Sequence, residues 1–116
     1  MILVTGGTGF IGRRVVAGLA ARGRPVRVLT RRARSGVPDG VEIVPGDLLD
    51  VGSIRAAVAN VDIVVHLAAV FGGEHLFSIN VDGTRELGLA AAREGVTSFI
   101  HCSSVLAALA PSRFGI

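Results

Sequence analysis

The sequence predicts a three-layer α/β fold built on one parallel sheet. Short β-rich apolar segments alternate with segments whose apolar residues repeat at helical spacing. Four glycines, Gly6, Gly7, Gly9 and Gly12, stand between the first apolar run and the first helical segment. No repeat, linker or low-complexity stretch interrupts the alternation, so residues 1–116 are expected to form one domain. Such alternation produces parallel strands joined by right-handed crossovers, with helices on both faces of the sheet.

The composition is that of a packed domain. Of the 116 residues, 50% are hydrophobic and only 18% are charged, which argues against disorder. All 12 basic residues are arginine, and the net charge is +3. The arginines are spread along the chain, and the sequence has no Trp or Tyr to stack on bases. Nucleic acid is therefore not an expected partner.

The sequence contains no predicted membrane segment, disulfide or metal site. The longest apolar run, residues 63–71, is broken by His66 and is shorter than the roughly 20 residues that span a bilayer. The N-terminus enters the glycine segment without a basic leader, which predicts a cytoplasmic location. Cys102 is the single cysteine and is expected to be a small buried residue. It and the three histidines lack metal-ligand spacing.

The first half of the chain is predicted to hold three strands and a helix. In chain order these are a strand at 2–4, a helix at 13–22, and strands at 25–30 and 41–44. Gly23 ends the helix, and Pro45 with Gly46 ends the third strand. The polar segment 31–40 is expected to be a loop.

The second half continues the pattern. A helix is predicted within 47–60, a strand at 61–67, a loop at 69–78, a helix at 79–93 and a strand at 97–103, while 105–116 receives no assignment. The expected strand order is 3-2-1-4-5. Its switch point lies between the first and fourth strands, which places a ligand beside the glycines and after Leu67.

The glycine segment fits two dinucleotide templates. Gly7, Gly9 and Gly12 fit GxGxxG, while Gly6, Gly9 and Gly12 fit GxxGxxG. Both allow a tight turn, a close approach of the backbone to a pyrophosphate, and close packing of the helix on the strand. A phosphate-binding P-loop is excluded because the sequence contains no lysine. The alternative is a tight strand-to-helix turn without a ligand.

The end of the second strand favours NADP(H) over NAD(H). An NAD site places a carboxylate about 20 residues after the glycines to accept from the ribose 2′-hydroxyl. Here the sequence reads Thr30, Arg31, Arg32. Guanidinium groups bind a 2′-phosphate through charge-assisted hydrogen bonds. The alternative is an exposed basic loop.

Asp47 follows the third strand. Its carboxylate is placed to accept from the exocyclic amine of adenine, with the Leu48 backbone along the same edge. The alternative is that Asp47 caps the helix that follows.

The chain resembles the N-terminal part of an extended or atypical short-chain dehydrogenase/reductase, the group of NAD-dependent epimerases and dehydratases and of dihydroflavonol-reductase-like enzymes. The matching motifs are TGGTGFIG at 5–12, GDL at 46–48, HLAA at 66–69, NVDGT at 80–84 and FIHCSS at 99–104. The resemblance implies a Rossmann fold whose C-terminal substrate region is missing here.

The resemblance also implies roles for individual residues. Those expected to bind the cofactor are Gly6, Gly9, Phe10, Ile11 and Gly12 at the pyrophosphate, Arg31 and Arg32 at the 2′-phosphate, Asp47 and Leu48 at adenine, and Leu67, Ala68 and Ala69 along the fourth strand. Ser104 matches the catalytic Ser/Thr, with Ser103 as the second choice and an ordinary turn as the alternative. Asn80 matches a structural asparagine, with a helix cap as the alternative.

The sequence departs from the family pattern in one respect. The family transfers a proton with a Tyr and a Lys four residues later, and this chain contains neither residue. The resemblance therefore implies that a complete enzyme would transfer a hydride to or from a small-molecule carbonyl or hydroxyl substrate. This chain alone is expected to be inactive. The alternatives are a non-catalytic NADP-binding sensor or scaffold and a fragment without a functional site. An exposed sheet edge also predicts pairing of two copies.

Overall fold

The computed structural model describes residues 1–32 and 36–104, and within them the chain forms one five-stranded parallel sheet. The strands are β1 (Ile2–Thr5), β2 (Val26–Thr30), β3 (Glu42–Pro45), β4 (Ile63–His66) and β5 (Ser98–His101). The helices are α1 (Gly12–Ala21), α2 (Val51–Val58) and α3 (Thr84–Arg93), and a π-helical segment, Ser78–Gly83, leads directly into α3. The order β3-β2-β1-β4-β5 confirms the predicted fold class and strand order.

The register brings the carboxyl ends of the strands to one edge of the sheet. Thr5 pairs with His66, and His66 pairs with His101 on the other side. Thr30, at the end of β2, pairs with Pro45, at the end of β3. Residues that follow these ends in sequence therefore meet at one edge, on both sides of the switch point between β1 and β4.

Two apolar clusters cover the two faces of the sheet. Leu3 packs in one cluster with Ile54 of α2 and Leu87 of α3. Val4 points the opposite way and packs with Val16 of α1 in the other cluster. All five side chains are fully buried. Because successive residues of a strand face opposite sides, the short apolar run of β1 anchors both layers at once.

The edge strand β5 differs from the other four strands. All four of its residues are exposed, and Ile100 retains 55% of its accessible surface. Cys102, just beyond it, is also exposed. The prediction of a buried cysteine was wrong, because an apolar sequence does not distinguish a central strand from an edge strand.

The predicted helix 79–93 is two elements in the structure. Its first part is the π-helical segment, and regular α-helix begins only at Thr84. The other elements differ from the predicted bounds by a few residues; β3, for example, ends at Pro45 itself. Residues 105–116, for which no assignment was made, and Arg34 in the predicted arginine-rich loop lie outside the described residues.

Across the described ranges, 1–32 and 36–104, no helix has the length and apolar character needed to cross a membrane.

Candidate functional site

A cleft of about 320 Å³ opens at the carboxyl edge of the sheet, at the predicted switch point. Its walls come from the glycine turn after β1 and from the segments that follow β2, β3 and β4. Nine of the predicted cofactor residues line it: Gly6, Gly9, Arg31, Arg32, Asp47, Leu48, Leu67, Ala68 and Ala69. The strand register thus brings together residues up to 63 positions apart in sequence.

The glycine turn is compact because two of its glycines, Gly6 and Gly12, have no room for a side chain. Gly6 has φ +69°, and a Cβ there would lie 2.7 Å from the amide nitrogen of Ala68. A Cβ on Gly12 would collide with the carbonyl oxygen of Gly6. The Gly9 amide donates to that same carbonyl at 3.0 Å. These contacts hold β1, the start of α1 and the end of β4 close together beside the cleft.

Phe10, Ile11 and Gly12 do not line the cleft. Phe10 is 74% exposed and Ile11 is 57% exposed. The guanidinium of Arg14 lies 5.0 Å from the centre of the Phe10 ring, on the outer surface of the turn.

Within the described residues, the backbone amides of Phe10 and Ile11 donate to no carbonyl. The amides of Arg13 and Arg14 are used: that of Arg13 donates to Gly9 at 3.0 Å, and that of Arg14 to Ile11 at 3.1 Å. The first amides of a helix are the groups that bind phosphate, helped by the positive end of the helix dipole. The turn thus presents the amides of Phe10 and Ile11 at the start of α1.

Arg31 and Arg32 stand at the rim of the cleft. A guanidinium nitrogen of Arg31 lies 4.0 Å from Asp47 Oδ2, and the Arg31 side chain is 65% exposed. The backbone amide of Arg32 donates to the Thr30 hydroxyl at 3.1 Å, which fixes the chain as it leaves β2.

Asp47 does not cap a helix. Its Oδ1 accepts from the Leu49 amide at 3.0 Å in a local turn, while Asp50 is the N-cap of α2 and accepts from the Gly52 amide at 2.9 Å. The interpretation of Asp47 as a helix cap was therefore wrong, because the residue that caps α2 is Asp50, three positions later. The predicted contact of Asp47 with adenine stays a prediction.

The most buried polar group beside the cleft is the His66 side chain. Thr5 Oγ1 lies 2.6 Å from His66 Nδ1, and Thr84 Oγ1 lies 2.8 Å from His66 Nε2. The Ala68 amide donates to Thr5 Oγ1 at 3.3 Å. Each threonine hydroxyl can donate to a ring nitrogen or accept from it, so the two hydroxyls satisfy both ring nitrogens of a neutral His66. The imidazole thereby links β1, β4 and α3.

The surroundings of His66 keep it neutral. Burial, and to a lesser extent the charge of His101, lower the pKa of His66 from 6.5 to about 4. The His101 ring stacks on it at 5.1 Å, and the Phe99 ring meets it edge-on at 6.1 Å. His66 is thus a core histidine with a hydrogen-bond partner at each ring nitrogen. The sequence did not single out its partners, Thr5 and Thr84, because they become neighbours only through the strand register.

Asn80 fastens the segment that leaves β4. Its Oδ1 accepts from the Val70 amide at 2.9 Å, and its Nδ2 donates to the Val70 carbonyl at 2.7 Å. The cap alternative for Asn80 was wrong, since the residue lies inside the π-helical segment. One extra residue in that turn rotates a side chain relative to regular helix, a feature that is frequent at functional sites. Here the amide lies against the cleft wall.

Ser103 and Ser104 follow β5 and are exposed. The Cys102 amide donates to the His66 carbonyl at 3.0 Å, so pairing with β4 continues up to the two serines. Neither serine lines the cleft. The catalytic role of Ser104 stays a prediction, as does the role of each residue assigned to the cofactor.

The profile of the NAD dependent epimerase/dehydratase family matches residues 2–113. The chain is 43% identical to sterol demethylase protein B of Methylococcus capsulatus, over 88% of this chain and 34% of that protein. It is 38% identical to a 3 beta-hydroxysteroid dehydrogenase/Delta 5→4-isomerase of Mycobacterium tuberculosis, over 89% of this chain and 31% of that protein. The chain thus spans about a third of the length of these relatives.

Solved structures of proteins in which part of the chain has the same fold support this family assignment. A short-chain dehydrogenase/reductase superfamily protein of Agrobacterium tumefaciens with bound NAD superimposes with a TM-score of 0.82 at 42% identity, over 90% of this chain and 32% of that one. A UDP-glucose 4-epimerase superimposes with a TM-score of 0.81 at 27% identity, over 90% of this chain and 35% of that one.

Proposed function

The chain belongs to the NAD-dependent epimerase/dehydratase family, and from that premise we propose that it is the NADP(H)-binding domain of a short-chain dehydrogenase/reductase. The observation that carries this proposal is the cleft at the switch point, bounded by the glycine turn on one side and by Leu67 to Ala69 on the other. Several relatives in this family carry NAD in their solved structures.

The residues present fit a dinucleotide. The cleft wall at Gly6 and Gly9 is bare backbone, and a Cβ on Gly9 would lie 3.2 Å from the Gly6 carbonyl oxygen. The amides of Phe10 and Ile11 remain to donate to the pyrophosphate, which reconciles their family role with their exposed side chains. Ala68 and Ala69 are small enough for a cofactor to pass close to β4.

The proposed preference for NADP(H) rests on charge. The cleft rim after β2 carries Arg31 and Arg32, where an NAD site holds a carboxylate. Guanidinium groups bind a phosphate monoester and gain nothing comparable from a hydroxyl.

A calorimetric titration of the 116-residue chain with NADPH and NADH tests this preference. We expect tighter binding of NADPH, and a fall of at least about tenfold in that affinity for Arg31→Asp, since a favourable charge becomes a repulsive one. Arg55→Asp makes the same charge change on the exposed surface of α2 and serves as the control. Equal affinity for both dinucleotides would contradict the preference, and binding of neither would contradict the proposed function.

In a complete enzyme the bound cofactor would exchange a hydride with a carbonyl or hydroxyl substrate. This chain would hold and orient the cofactor, and Ser104 would orient the substrate oxygen. The family's Tyr and Lys are not among its 116 residues. General acid–base catalysis is typically worth ~10² to 10⁴ in rate, so we expect little turnover from this chain by itself.

A non-catalytic dinucleotide sensor or scaffold is the second candidate. Such a protein needs only the residues that line the cleft, and neither a Tyr nor a Lys. Tight NADPH binding without oxidation of the cofactor, over a range of ketone and sugar-nucleotide substrates, would support the sensor.

We also propose that two copies pair through the exposed strand β5, because an unprotected edge is a template for strand pairing. Sedimentation at micromolar concentration tests this, and a monomer would contradict it. The cytoplasmic location stays a prediction.

A further inference from the structure

A chain of hydrogen bonds runs from the wall of the cleft to the first residue of α3. The Ala68 amide donates to Thr5 Oγ1 at 3.3 Å, and Thr5 Oγ1 lies 2.6 Å from His66 Nδ1. On the other side of the imidazole, His66 Nε2 lies 2.8 Å from Thr84 Oγ1. Thr5 and Ala68 line the cleft, whereas His66 and Thr84 do not. The hydrogen bonds therefore connect the cleft to a helix outside it.

This chain of hydrogen bonds has little freedom to rearrange. The side chains of Thr5 and His66 are buried, and Thr84 is half-buried. Thr5 and His66 are also paired directly in the sheet, so their backbones are fixed relative to each other. A buried ring nitrogen that loses its partner has no water to replace it. Loss of the Thr84 hydroxyl should therefore shift the imidazole and, with it, the hydroxyl of Thr5.

The position of Ala68 depends on the hydroxyl of Thr5. The Leu67 amide donates to the Thr5 carbonyl at 3.2 Å, and the next amide, that of Ala68, donates to the Thr5 side chain instead. The Thr5 hydroxyl thus continues the pairing of β1 with β4 by one residue past the backbone bonds. The backbones are in close contact here, since a Cβ on Gly6 would lie 2.7 Å from the Ala68 nitrogen.

We propose that Thr84 is a positioning residue for the dinucleotide, because through His66 and Thr5 it holds Ala68 in place at the cleft wall. This inference rests on the proposed function, in which the cofactor passes close to Ala68. A small displacement of a wall that a ligand must fit costs affinity even when the substituted residue does not touch the ligand. NADPH and NADH should be affected alike, since β4 and β2, which leads to Arg31 and Arg32, lie on opposite sides of β1.

The experiment compares two substitutions at Thr84 that differ in the hydroxyl. Thr84→Val keeps the shape of the side chain and removes the hydroxyl, whereas Thr84→Ser keeps the hydroxyl. In calorimetric titrations we expect Thr84→Val to lower the affinity for NADPH and for NADH by about fivefold each. Thr84→Ser should stay within about twofold of the unmodified chain for both dinucleotides.

Thr97→Val is the matched control. Its hydroxyl donates to the Asp62 carbonyl at 3.0 Å, at the opposite edge of the sheet from the cleft. We expect this variant to bind both dinucleotides within about twofold of the unmodified chain. Thermal melting without ligand verifies that each variant is folded. A purely structural role of Thr84 would lower its melting temperature and leave the affinity of the folded chain unchanged.

Nuclear magnetic resonance of the unmodified chain tests the same connection without a substitution. Because coupling between two sites is reciprocal, NADPH should shift the resonances of the His66 ring nitrogens and of the Thr84 amide. The Thr97 amide should not shift. In Thr84→Val without ligand, the Ala68 amide resonance should move from its position in the unmodified chain, and in Thr84→Ser it should stay close to that position.

The outcomes separate this inference from the proposed function. Unchanged NADPH affinity in a folded Thr84→Val, or equal losses in Thr84→Val and Thr84→Ser, would overturn the role of Thr84 and leave the dinucleotide site standing. A loss confined to NADPH would overturn it too, because it would place the effect at the arginines. If Thr84→Val does not fold, unshifted Thr84 and His66 resonances in the NADPH-bound unmodified chain would overturn it. Failure of the unmodified chain to bind either dinucleotide would overturn both proposals.

Discussion

The two sides of the candidate site are built in opposite ways. Beside the switch point, Thr5, His66 and Thr84 form a buried chain of hydrogen bonds in which both ring nitrogens have partners. At the rim, the Arg32 side chain is exposed and has no carboxylate partner among the described residues. The interior side chains satisfy one another, whereas Arg32 at the rim has a charge without a partner in the described part of the chain.

This contrast separates stability from binding. A buried polar group that loses its partner costs roughly 1–3 kcal/mol, while an exposed charge contributes about 0–1 kcal/mol to stability. Substitutions in the interior should therefore lower the free energy of unfolding, and substitutions at the rim should change mainly ligand affinity.

The largest effect is expected at Gly12. An alanine there places a methyl group against the Gly6 carbonyl, and both positions are backbone that cannot yield without opening the turn. We expect Gly12→Ala to lower the free energy of unfolding by about 3 kcal/mol or more, measured by chemical denaturation. Gly18→Ala in the same helix meets only the flexible end of Arg22 and should raise it by about 0.5–1 kcal/mol. Equal effects at the two glycines would contradict this account of the turn.

The second effect concerns pH. Because the pKa of His66 is about 4 in the fold and 6.5 in the unfolded chain, the unfolded chain takes up the proton first as the pH falls. Stability should be complete above about pH 6.5 and fall by up to about 3 kcal/mol as the pH approaches 4. The titratable group that faces His66 is His101. The N-terminal amine lowers the pKa of Asp62, so that this carboxyl titrates below this pH range.

His66→Gln provides the control for this pH dependence. The glutamine does not titrate, so denaturation midpoints of this variant should vary much less between pH 4 and pH 6.5. An unchanged pH dependence would show that another group is responsible.

A smaller effect is expected at Thr5. Thr5→Val removes the hydroxyl that joins His66 to the Ala68 amide and should cost about 1–2 kcal/mol of stability. Thr97→Val removes an exposed hydroxyl that donates to the Asp62 carbonyl at the far end of the sheet, and should cost less than about 0.5 kcal/mol. Similar losses of unfolding free energy in the two variants would mean that the interior hydrogen bonds stabilise the fold no more than the surface hydrogen bond does.

The smallest effect on stability is expected at the rim. Arg32→Gln should change the free energy of unfolding by less than about 0.5 kcal/mol while it weakens NADPH binding. A large loss of stability in the absence of ligand would remove the distinction between rim and interior.

The sequence was informative where local chemistry decides the structure. Gly6, Gly9 and Gly12 identified the turn, and the alternation of strand and helix patterns predicted the strand order correctly. Both signals lie within one stretch of chain and do not depend on distant partners.

The sequence was uninformative where distant residues decide. The partners of His66 follow from a register between strands about 60 residues apart. The exposure of Cys102 depends on β5 being an edge strand, and the turn at Asp47 depends on Asp50 being the residue that caps α2.

The two hydrogen bonds between Asn80 and Val70 bear on how the sequence of this fold can change in evolution. It closes a loop whose two ends are fixed to each other, while Phe71 between them is 99% exposed. Lengthening a closed surface loop costs little, about 0.6 kcal/mol for each doubling of its length. Insertions between residues 71 and 77 should therefore leave the cleft wall in place. This loop can change in length and sequence, and so in binding specificity, while the rest of the fold stays the same.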